Sequence, residues 1–480
     1  MKVLVVGFAV SGRAAADFLK RKGYDVVFAN DEIVNDENLI QNDKLDRLFD
    51  GLSFIVVSPG VRLDLPFFKL AKKKKIEIIG ELELAVRNMK GDIISVTGTN
   101  GKTTTVSLIN FLLKDVERKV FLGGNVGVAA TSFCDETTGD SISVLECSSY
   151  QLESVKKFHS KISCILNLSV DHLARHKTMK RYIFCKQKIV KNQTKNDYLI
   201  INADNELLMQ NIPKTAAKIF YFSLKKKVNG CYLKNKNIYF KEDIFEEKLV
   251  SIKNLKLIGE HNISNVLAAC LSVYLETKNK NLLKDVDKFL AVPHRIEFVK
   301  TISKVSFYND SKATNIDSTI VALKSFDKEI NLILGGSDKG YDFDDLFKNL
   351  PKTVKNIAIF GEIKQKIANS AKKFNFKNFQ IFNSLKESTL YLFEVANKNS
   401  IVLLSPAAAS FDCFSNYEER GNVFKKIVQE IEEDEIFRTQ NKSKNKVWLY
   451  NFFAYDFAGF DWFVVCLFSK FLFCRTLFWR

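Results

Sequence analysis

The chain of 480 residues has little of what marks extended or cross-linked proteins. Its 6 prolines leave no Pro-rich linker. Its 9 cysteines are scattered, odd in number and form no CxxC pair, so the expectation is reduced, buried thiols in the cytoplasm. Met1 to Gly7 reads as a first β-strand and lacks the apolar region and small-residue cleavage site of a signal peptide. No apolar run reaches the roughly 20 residues that span a bilayer, so no stable membrane insertion is expected. The first 440 residues hold no basic stripe with interleaved aromatics and no nucleic-acid reading module, so no nucleic-acid partner is expected.

What is present is ordinary for a folded protein. An apolar share of 46% and a charged share of 26% exclude wholesale disorder. The length suggests about three domains of roughly 150 residues, each able to bury a core. Lys+Arg 72 against Asp+Glu 55 leaves a formal charge of +17. The lysines run along the whole chain, which reads as solvated faces, with attraction to polyanions such as nucleotides as the sharper alternative.

Strand and helix signals alternate, which implies parallel crossover units. In residues 1–91, strands are expected at 2–6, 24–29 and 54–57, with a helix at 13–22. In residues 92–292, strands are expected at 93–96, 141–145 and 163–168, with helices at 102–113, 180–190 and 262–274. Short antiparallel strands are expected between 220 and 256. In residues 293–437, strands are expected at 306–308, 331–334, 356–360 and 401–404, and the acidic run 430–435 should stop the pattern. The stretch 438–480 differs in kind. All 3 tryptophans lie in its last 40 residues, where 14 are aromatic. Its longest uncharged run spans 447–455. It reads as an extension without structure, or as a peripheral membrane or partner-binding tail.

The sharpest local signal is Gly98-Thr99-Asn100-Gly101-Lys102-Thr103-Thr104, between a strand and a helix. A Gly-rich turn at a helix N-terminus aims backbone N–H groups and the helix dipole at one spot, where phosphate binds. Lys102 adds a mobile charge for the β- and γ-phosphates, and the Thr103 hydroxyl is a ligand for Mg2+. Val96 stands where the full eight-residue pattern has Gly, so the loop is a variant form. Glu146 ends a strand expected beside that loop, where a carboxylate can hold Mg2+. Asp171-His172 follows another strand at the edge facing the ligand crevice and can bind a second divalent cation. Lys186, taken alone, reads as one lysine of a solvated helix face. The first turn, residues 7–12, keeps the dinucleotide spacing with Ala9 in place of the middle Gly, and Asp31 ends the second strand where a ribose would be read. Two further strand-to-helix turns, 309–315 and 405–412, are dense in small and polar residues, and His294-Arg295 opens their unit.

Together these stretches resemble the Mur ligase family over residues 1 to about 433. The resemblance rests on residues 98–105, Glu146 to Glu153, Asp171-His172, Gly259-Glu260-His261-Asn262, Pro293 to Glu297, 309–315 and 405–421, in that order. It implies an α/β protein of three domains. Residues 1–91 would be a Rossmann-like UDP-sugar domain, 92–292 a central P-loop ATPase with a small antiparallel sheet, and 293–437 a Rossmann-like domain for the amino acid. It implies ATP and two Mg2+ ions. Lys102 would hold the phosphates together with Gly98, Thr99, Asn100, Gly101, Thr103 and Thr104. Thr103 and Glu146 would hold one Mg2+, and His172 the second, with Lys186 bridging as a carbamate. Asn262, Asn265, Arg295 and Asp310 match ATP-binding positions. Lys312, Thr314, Lys339, Ser410, Phe411 and Tyr417 match the amino-acid region, and Ser11, Asp31, Ser58, Gly60 and Asn125 the UDP-sugar side.

The short first domain and the stretch 405–421 resemble the branch that adds D-glutamate to UDP-N-acetylmuramoyl-L-alanine, in a cytoplasmic monomer of peptidoglycan precursor synthesis. The Asp-Asn-Pro-Arg motif of the diaminopimelate- or lysine-adding branch is absent. Departures are Tyr417 where Phe is commoner, Val10 and Arg13 in the first turn, and the tail. The alternatives are another ligase of the superfamily, such as one adding glutamate to a folate, an NAD-dependent dehydrogenase using Gly7 to Gly12, and a non-catalytic P-loop protein. Residues 1–91 weigh against the first. The loop 98–104, Glu146 and Asp171-His172 weigh against the dehydrogenase.

Overall fold

A computed structural model describes residues 1–29, 49–290, 292–338, 340 and 342–456, the last twenty as backbone only. The chain forms two compact units. The first comprises Met1–Pro293 with Lys324–Phe326, and the second starts with His294–Leu323 and resumes at Asp327.

The first unit holds two sheets. Strands β1 (Lys2–Val6), β2 (Asp25–Ala29), β3 (Leu52–Val57) and β4 (Glu77–Gly80) form a parallel sheet in the order β2-β1-β3-β4. The second sheet contains β5 (Asp92–Thr97), β6 (Val120–Gly124), β7 (Ile142–Glu146), β8 (Ile162–Ile165), β9 (Tyr198–Asn202), β10 (Lys218–Ser223), β11 (Gly230–Lys234), β12 (Asn237–Glu242) and β13 (Phe245–Ser251). Its order is β13-β12-β11-β10-β9-β8-β5-β7-β6. Strand β5 reads as one apolar run because helices cover both faces of a parallel sheet. It lies between β8 and β7, so the loop leaving its C-terminal end opens where ligands bind in such sheets.

The expectation for 220–256 needs correction. Strand β10 is parallel to both β9 and β11, and only β11, β12 and β13 run antiparallel. They extend the main sheet rather than forming a separate one. A crossover carrying the helix Glu206–Met209 joins β9 to β10, which allows parallel pairing. Asn235 and Lys236, both at positive φ, instead make a tight hairpin between β11 and β12.

One apolar cluster joins the two sheets. Val3, Val5, Phe18 and Leu19 share it with Ala130, Phe133, Leu145 and Leu152. Each such side chain contributes about 1.5–3 kcal/mol on burial, so residues 1–91 pack on the central sheet as part of one unit. The opposite face of the central sheet is covered by the helices Lys102–Leu112 and Glu260–Thr277.

In the second unit, β14 (Glu297–Ile302), β15 (Val305–Asn309), β16 (Ile330–Gly335), β17 (Val354–Phe360), β18 (Phe379–Ile381) and β19 (Ile401–Leu404) pair in the order β14-β15-β19-β16-β17-β18. Only β14 is antiparallel. The acidic run 430–435 does not end its element, because the helix Tyr417–Asp456 passes through it into the aromatic stretch. Residues 457–480 lie outside the described residues. Six cysteines are free and buried, whereas Cys413 is free and exposed, contrary to expectation; Cys466 and Cys474 lie outside the described residues. Among the described residues, no helix is long and apolar enough to cross a membrane.

Candidate active site

The loop Gly98 to Thr104 leaves β5 and enters the helix Lys102–Leu112. Gly101 sits at φ +86°, and a Cβ there would lie 2.3 Å from Asn265 Oδ1, so this close approach needs glycine. Asn265 and Asn262 are buried in the first turns of the helix Glu260–Thr277, which packs on Lys102–Leu112. Asn265 Nδ2 donates to Asn262 Oδ1 at 3.3 Å, and Asn262 Nδ2 to the Ile258 carbonyl at 2.8 Å. The loop is also pinned by Asn167. Its Oδ1 accepts from Asn100 N–H at 2.8 Å, and its Nδ2 donates to the Asn100 carbonyl at 3.0 Å. Lys102 Nζ donates to the carbonyls of Gly98 and Thr99 at 2.8 and 2.9 Å. Thr104 is buried beneath.

Glu146, 2% exposed, ends β7 beside this loop. Its Oε2 accepts from the Thr103 hydroxyl at 2.8 Å and its Oε1 from Asn125 Nδ2 at 2.7 Å. Lys186 is not on a solvated face. It is 2% exposed, donates to the Gly98 carbonyl at 2.7 Å and lies 4.8 Å from the Tyr182 ring centroid. Burial, and then the charge of Lys102, hold its ammonium well below the usual lysine range. The Tyr182 hydroxyl meets Thr99 Oγ1 at 3.0 Å. His172, at φ +54°, follows β8 and has Nδ1 at 3.0 Å from the Tyr150 hydroxyl and Nε2 at 3.4 Å from Asp171 Oδ2. The structure thus gathers the loop, Glu146, Asn125, Lys186, Asn262 and Asn265, with His172 alongside through Tyr182, whose ring lies 6.2 Å away.

At the end of β3, Ser58 Oγ donates to the Gly7 carbonyl at 2.9 Å. A Cβ on Gly12 would lie 1.9 Å from that carbonyl, and one on Gly7, at φ +88°, would lie 2.8 Å from Ser58 Cβ, so the packing needs both glycines of the first turn, while Ala9 is tolerated in the middle. Ser11 is partly buried in the helix Val10–Arg21. A cleft between the turn Ser58-Pro59-Gly60 and the helix Ser149–Glu153 is lined by Ser58, Val61, Glu81, Tyr150, Ser154 and Arg175. Asp31 and Lys339 lie outside the described residues.

In the second unit, Asp310 follows β15 and accepts from Ile296 N–H at 3.2 Å and the Ser405 hydroxyl at 2.7 Å. Burial pushes its carboxyl up to about 7, against the pull of Ser405, Ile296 and Arg295. Arg295 Nε is buried without a hydrogen-bond partner among the described residues. The Lys312 ammonium lies 5.0 Å from the Tyr417 ring centroid, and Thr314 N–H donates to the Lys312 carbonyl at 2.9 Å. Ser410 is buried, whereas Phe411 is 73% exposed, with its N–H donating to Ser337 Oγ at 3.1 Å.

Sequence reasoning missed Arg420, which is fully buried. It donates to Ser311 Oγ and to the carbonyls of Ser311, Ala408 and Ala409 at 2.8–3.1 Å, tying the turns after β15 and β19. It also missed Arg175 and Tyr150. Tyr150 and Arg420 lie inside the motif stretches 146–153 and 405–421, which flagged the segments but gave these two side chains no role, and nothing local marks Arg175.

The Mur ligase middle domain matches residues 96–273, and the Mur ligase glutamate ligase domain matches residues 294–408. UDP-N-acetylmuramoylalanine--D-glutamate ligase of Thermoanaerobacter sp. (strain X514) is 40% identical over 446 residues, covering 90% of this chain and 98% of that protein. Among solved structures, a pseudomurein peptide ligase type C from Methanothermus fervidus superimposes with a TM-score of 0.57 at 18% identity, covering 90% of this chain and 99% of its own. MurF ligase from Thermotoga maritima, solved in complex with ADP, superimposes with a TM-score of 0.53 at 18% identity, covering 81% and 92%. With two family domains matched in order and near-complete overlap with a full-length relative, the chain belongs to the Mur ligase family.

Proposed function

We propose that this chain is the cytoplasmic, monomeric ligase that uses ATP to join D-glutamate to UDP-N-acetylmuramoyl-L-alanine. Residues 1–91 would bind the UDP-sugar, 92–292 ATP and 293–437 the amino acid. The single observation that carries the reading is the convergence on the loop 98–104 of a hydroxyl–carboxylate pair, Thr103 and Glu146, and a buried lysine, Lys186. The near-complete overlap with the D-glutamate ligase supports the substrate assignment.

In this reading the substrate carboxylate oxygen attacks the γ-phosphorus of ATP. The bond to the β-phosphate oxygen breaks, and ADP leaves. The D-glutamate amine then attacks the acyl carbon, phosphate leaves with the carbon–oxygen bond broken, and the amine sheds a proton. No side chain acts as a covalent nucleophile. Loop amides, the helix dipole and Lys102 offset the repulsion between two anionic reactants. Positioning supplies much of the rest, because the reacting atoms must be held about 3–3.5 Å apart.

The residues fit Mg2+. Thr103 and Glu146 offer adjacent oxygens, and no group of three or more His, Cys, Asp or Glu forms a cage among the described residues. That donor set suits an ion held by one or two side chains plus phosphate and water. Thr103 and Glu146 would hold one ion, and His172 and Lys186 the other; each ion neutralises phosphate charge when bound. Lys186 fits its part because an amine with depressed proton affinity is the form that adds to CO2 as a carbamate.

The test is phosphate release with UDP-N-acetylmuramoyl-L-alanine and a panel of amino acids. Release should need the UDP-sugar and respond to D-glutamate above L-glutamate, D-aspartate, lysine and diaminopimelate. An equal response to another amino acid, or release without the UDP-sugar, would overturn the reading.

A further inference from the structure

The proposed reaction needs two pieces that lie far apart in sequence, the sugar-side turn Ser58-Pro59-Gly60 and Asp171-His172. One side chain joins them. Arg175 lies in the short helix Leu173–His176, which begins directly after His172. Its Nη1 donates to the Gly60 carbonyl at 3.2 Å, and its Nη2 donates to the Val61 carbonyl at 2.7 Å and to Glu153 Oε2 at 2.9 Å. Its guanidinium carbon lies 5.2 Å from the Tyr150 ring centroid, and the Tyr150 hydroxyl meets His172 Nδ1 at 3.0 Å. Tyr150 and Glu153 share the helix Ser149–Glu153, which starts just after Glu146 at the end of β7.

We infer that Arg175 is a positioning residue that sets the distance between the UDP-sugar turn and the His172 edge of the phosphate site. The inference rests on the proposed roles of that turn and of His172. The planar guanidinium reaches two successive carbonyls and a carboxylate at once, which a lysine ammonium on a flexible stem does not reproduce. The side chains of Arg175 and Glu153 are only 10% and 9% exposed, so water competes little for these bonds. His172 is held at φ +54°, a conformation that persists in a non-glycine residue when its surroundings over-determine it. The Tyr150 hydroxyl at Nδ1, the His172 N–H donating to Asp171 Oδ1 at 2.8 Å and the Arg175 backbone N–H donating to the His172 carbonyl at 3.1 Å supply three of those constraints, and the Arg175 side chain acts on them through the Tyr150 ring. If the turn drifts, the acceptor carboxylate drifts from the γ-phosphate, and catalysis falls steeply with such misplacement.

The experiment measures steady-state ADP formation by wild type, Arg175→Lys, Tyr150→Phe and the double variant, varying each substrate and Mg2+ in turn. Arg175→Lys should raise KM for the UDP-sugar and lower kcat, a combined loss of about tenfold to a hundredfold in kcat/KM for that substrate, the range expected for charged hydrogen bonds. KM for ATP should change less than about twofold, since the loop 98–104 keeps its own contacts. Tyr150→Phe should lower kcat and raise the Mg2+ needed for half-maximal rate, and the double variant should lose less than the product of the two single losses. A uniform rise of all three KM values would mark a merely structural role and overturn the inference, as would strictly multiplicative losses. If Arg175→Lys does not fold, the KM and Mg2+ profile of Tyr150→Phe decides alone, with an unchanged profile overturning it. The wild type separates the two levels of the argument. No UDP-sugar-dependent ADP formation would sink the proposed activity itself, whereas a normal wild type with a normal Arg175→Lys sinks only the coupling.

Discussion

Replacing Gly101 with alanine should cripple the phosphate loop, by an amount the structure sets. Its φ of +86° costs an alanine about 1–2 kcal/mol. The new Cβ would lie 2.3 Å from Asn265 Oδ1, 3.0 Å from its Cγ and 3.2 Å from its Nδ2, so the nearest gap must open by about 0.7 Å. Asn265 has little room to yield, being 4% exposed and bonded to Asn262. Overpacking of this kind adds about 1–3 kcal/mol. The sum is roughly 2–5 kcal/mol, or a fall in Tm on the order of 3–8 °C for a unit of this size. If the protein instead relaxes by shifting the loop, a displacement near 1 Å lowers the rate about a hundredfold. Differential scanning fluorimetry reads the first quantity, and coupled ADP release at varied ATP reads the second. Adding Asn265→Ala removes the overlap but not the backbone strain. The double variant should therefore regain part of the lost Tm while remaining inactive. A Gly101→Ala protein with wild-type Tm and wild-type kcat/KM for ATP would refute the reasoning.

Asp310 has a folded-state pKa of about 7, above its ordinary value of 3.8, so the unfolded state ionises first and the buried acid costs stability increasingly from about pH 4 to pH 7. Asp310→Asn keeps the acceptor for Ile296 N–H and should be more stable than wild type at pH 8, by up to about 4 kcal/mol as an upper bound, with the advantage gone near pH 4. Urea unfolding at the two pH values checks this, and equal differences at both would contradict it; the variant should also lose ligase activity. Lys186→Ala should lose most activity and recover part of it with added short-chain carboxylic acids, measured as ADP release; no recovery at any concentration counts against the carbamate. Deleting residues 441–480 should leave activity within about twofold, because every proposed site residue precedes 421, the stability effects of distant changes being close to independent. A lost activity would assign the aromatic tail a role.

The parallel architecture and much of the site were legible because they depend on local chemistry. Apolar runs ending in Gly98 to Gly101, Glu146 and Asp171-His172 announce strands and their ligand-facing ends without any partner being known. Strands β4, β6, β9, β14 and β18 went unread. Strands β4 and β18 are only four and three residues long, β6 is an edge strand, and β14, with the pattern Glu297-Phe298-Val299-Lys300, leaves a largely exposed face that looks like loop, whereas β9 is a buried central strand for whose omission the structure offers no physical reason. The parallel pairing of β10 escaped because direction is a property of the connection rather than of the strand.

By itself, the sequence determined the order of the elements, the turn that can cradle a phosphate and the placing of the acid and the histidine just after strands, since each follows from side-chain periodicity and backbone freedom within a few residues. Only the tertiary structure decided that Lys186 is buried against the loop instead of solvated, that Arg420 binds two turns of the second unit together, and that Arg175 spans the sugar-side turn and the helix after His172. Burial and long-range donation depend on which distant backbone carbonyls arrive beside a cation, and a one-dimensional pattern of lysines and arginines carries no record of that.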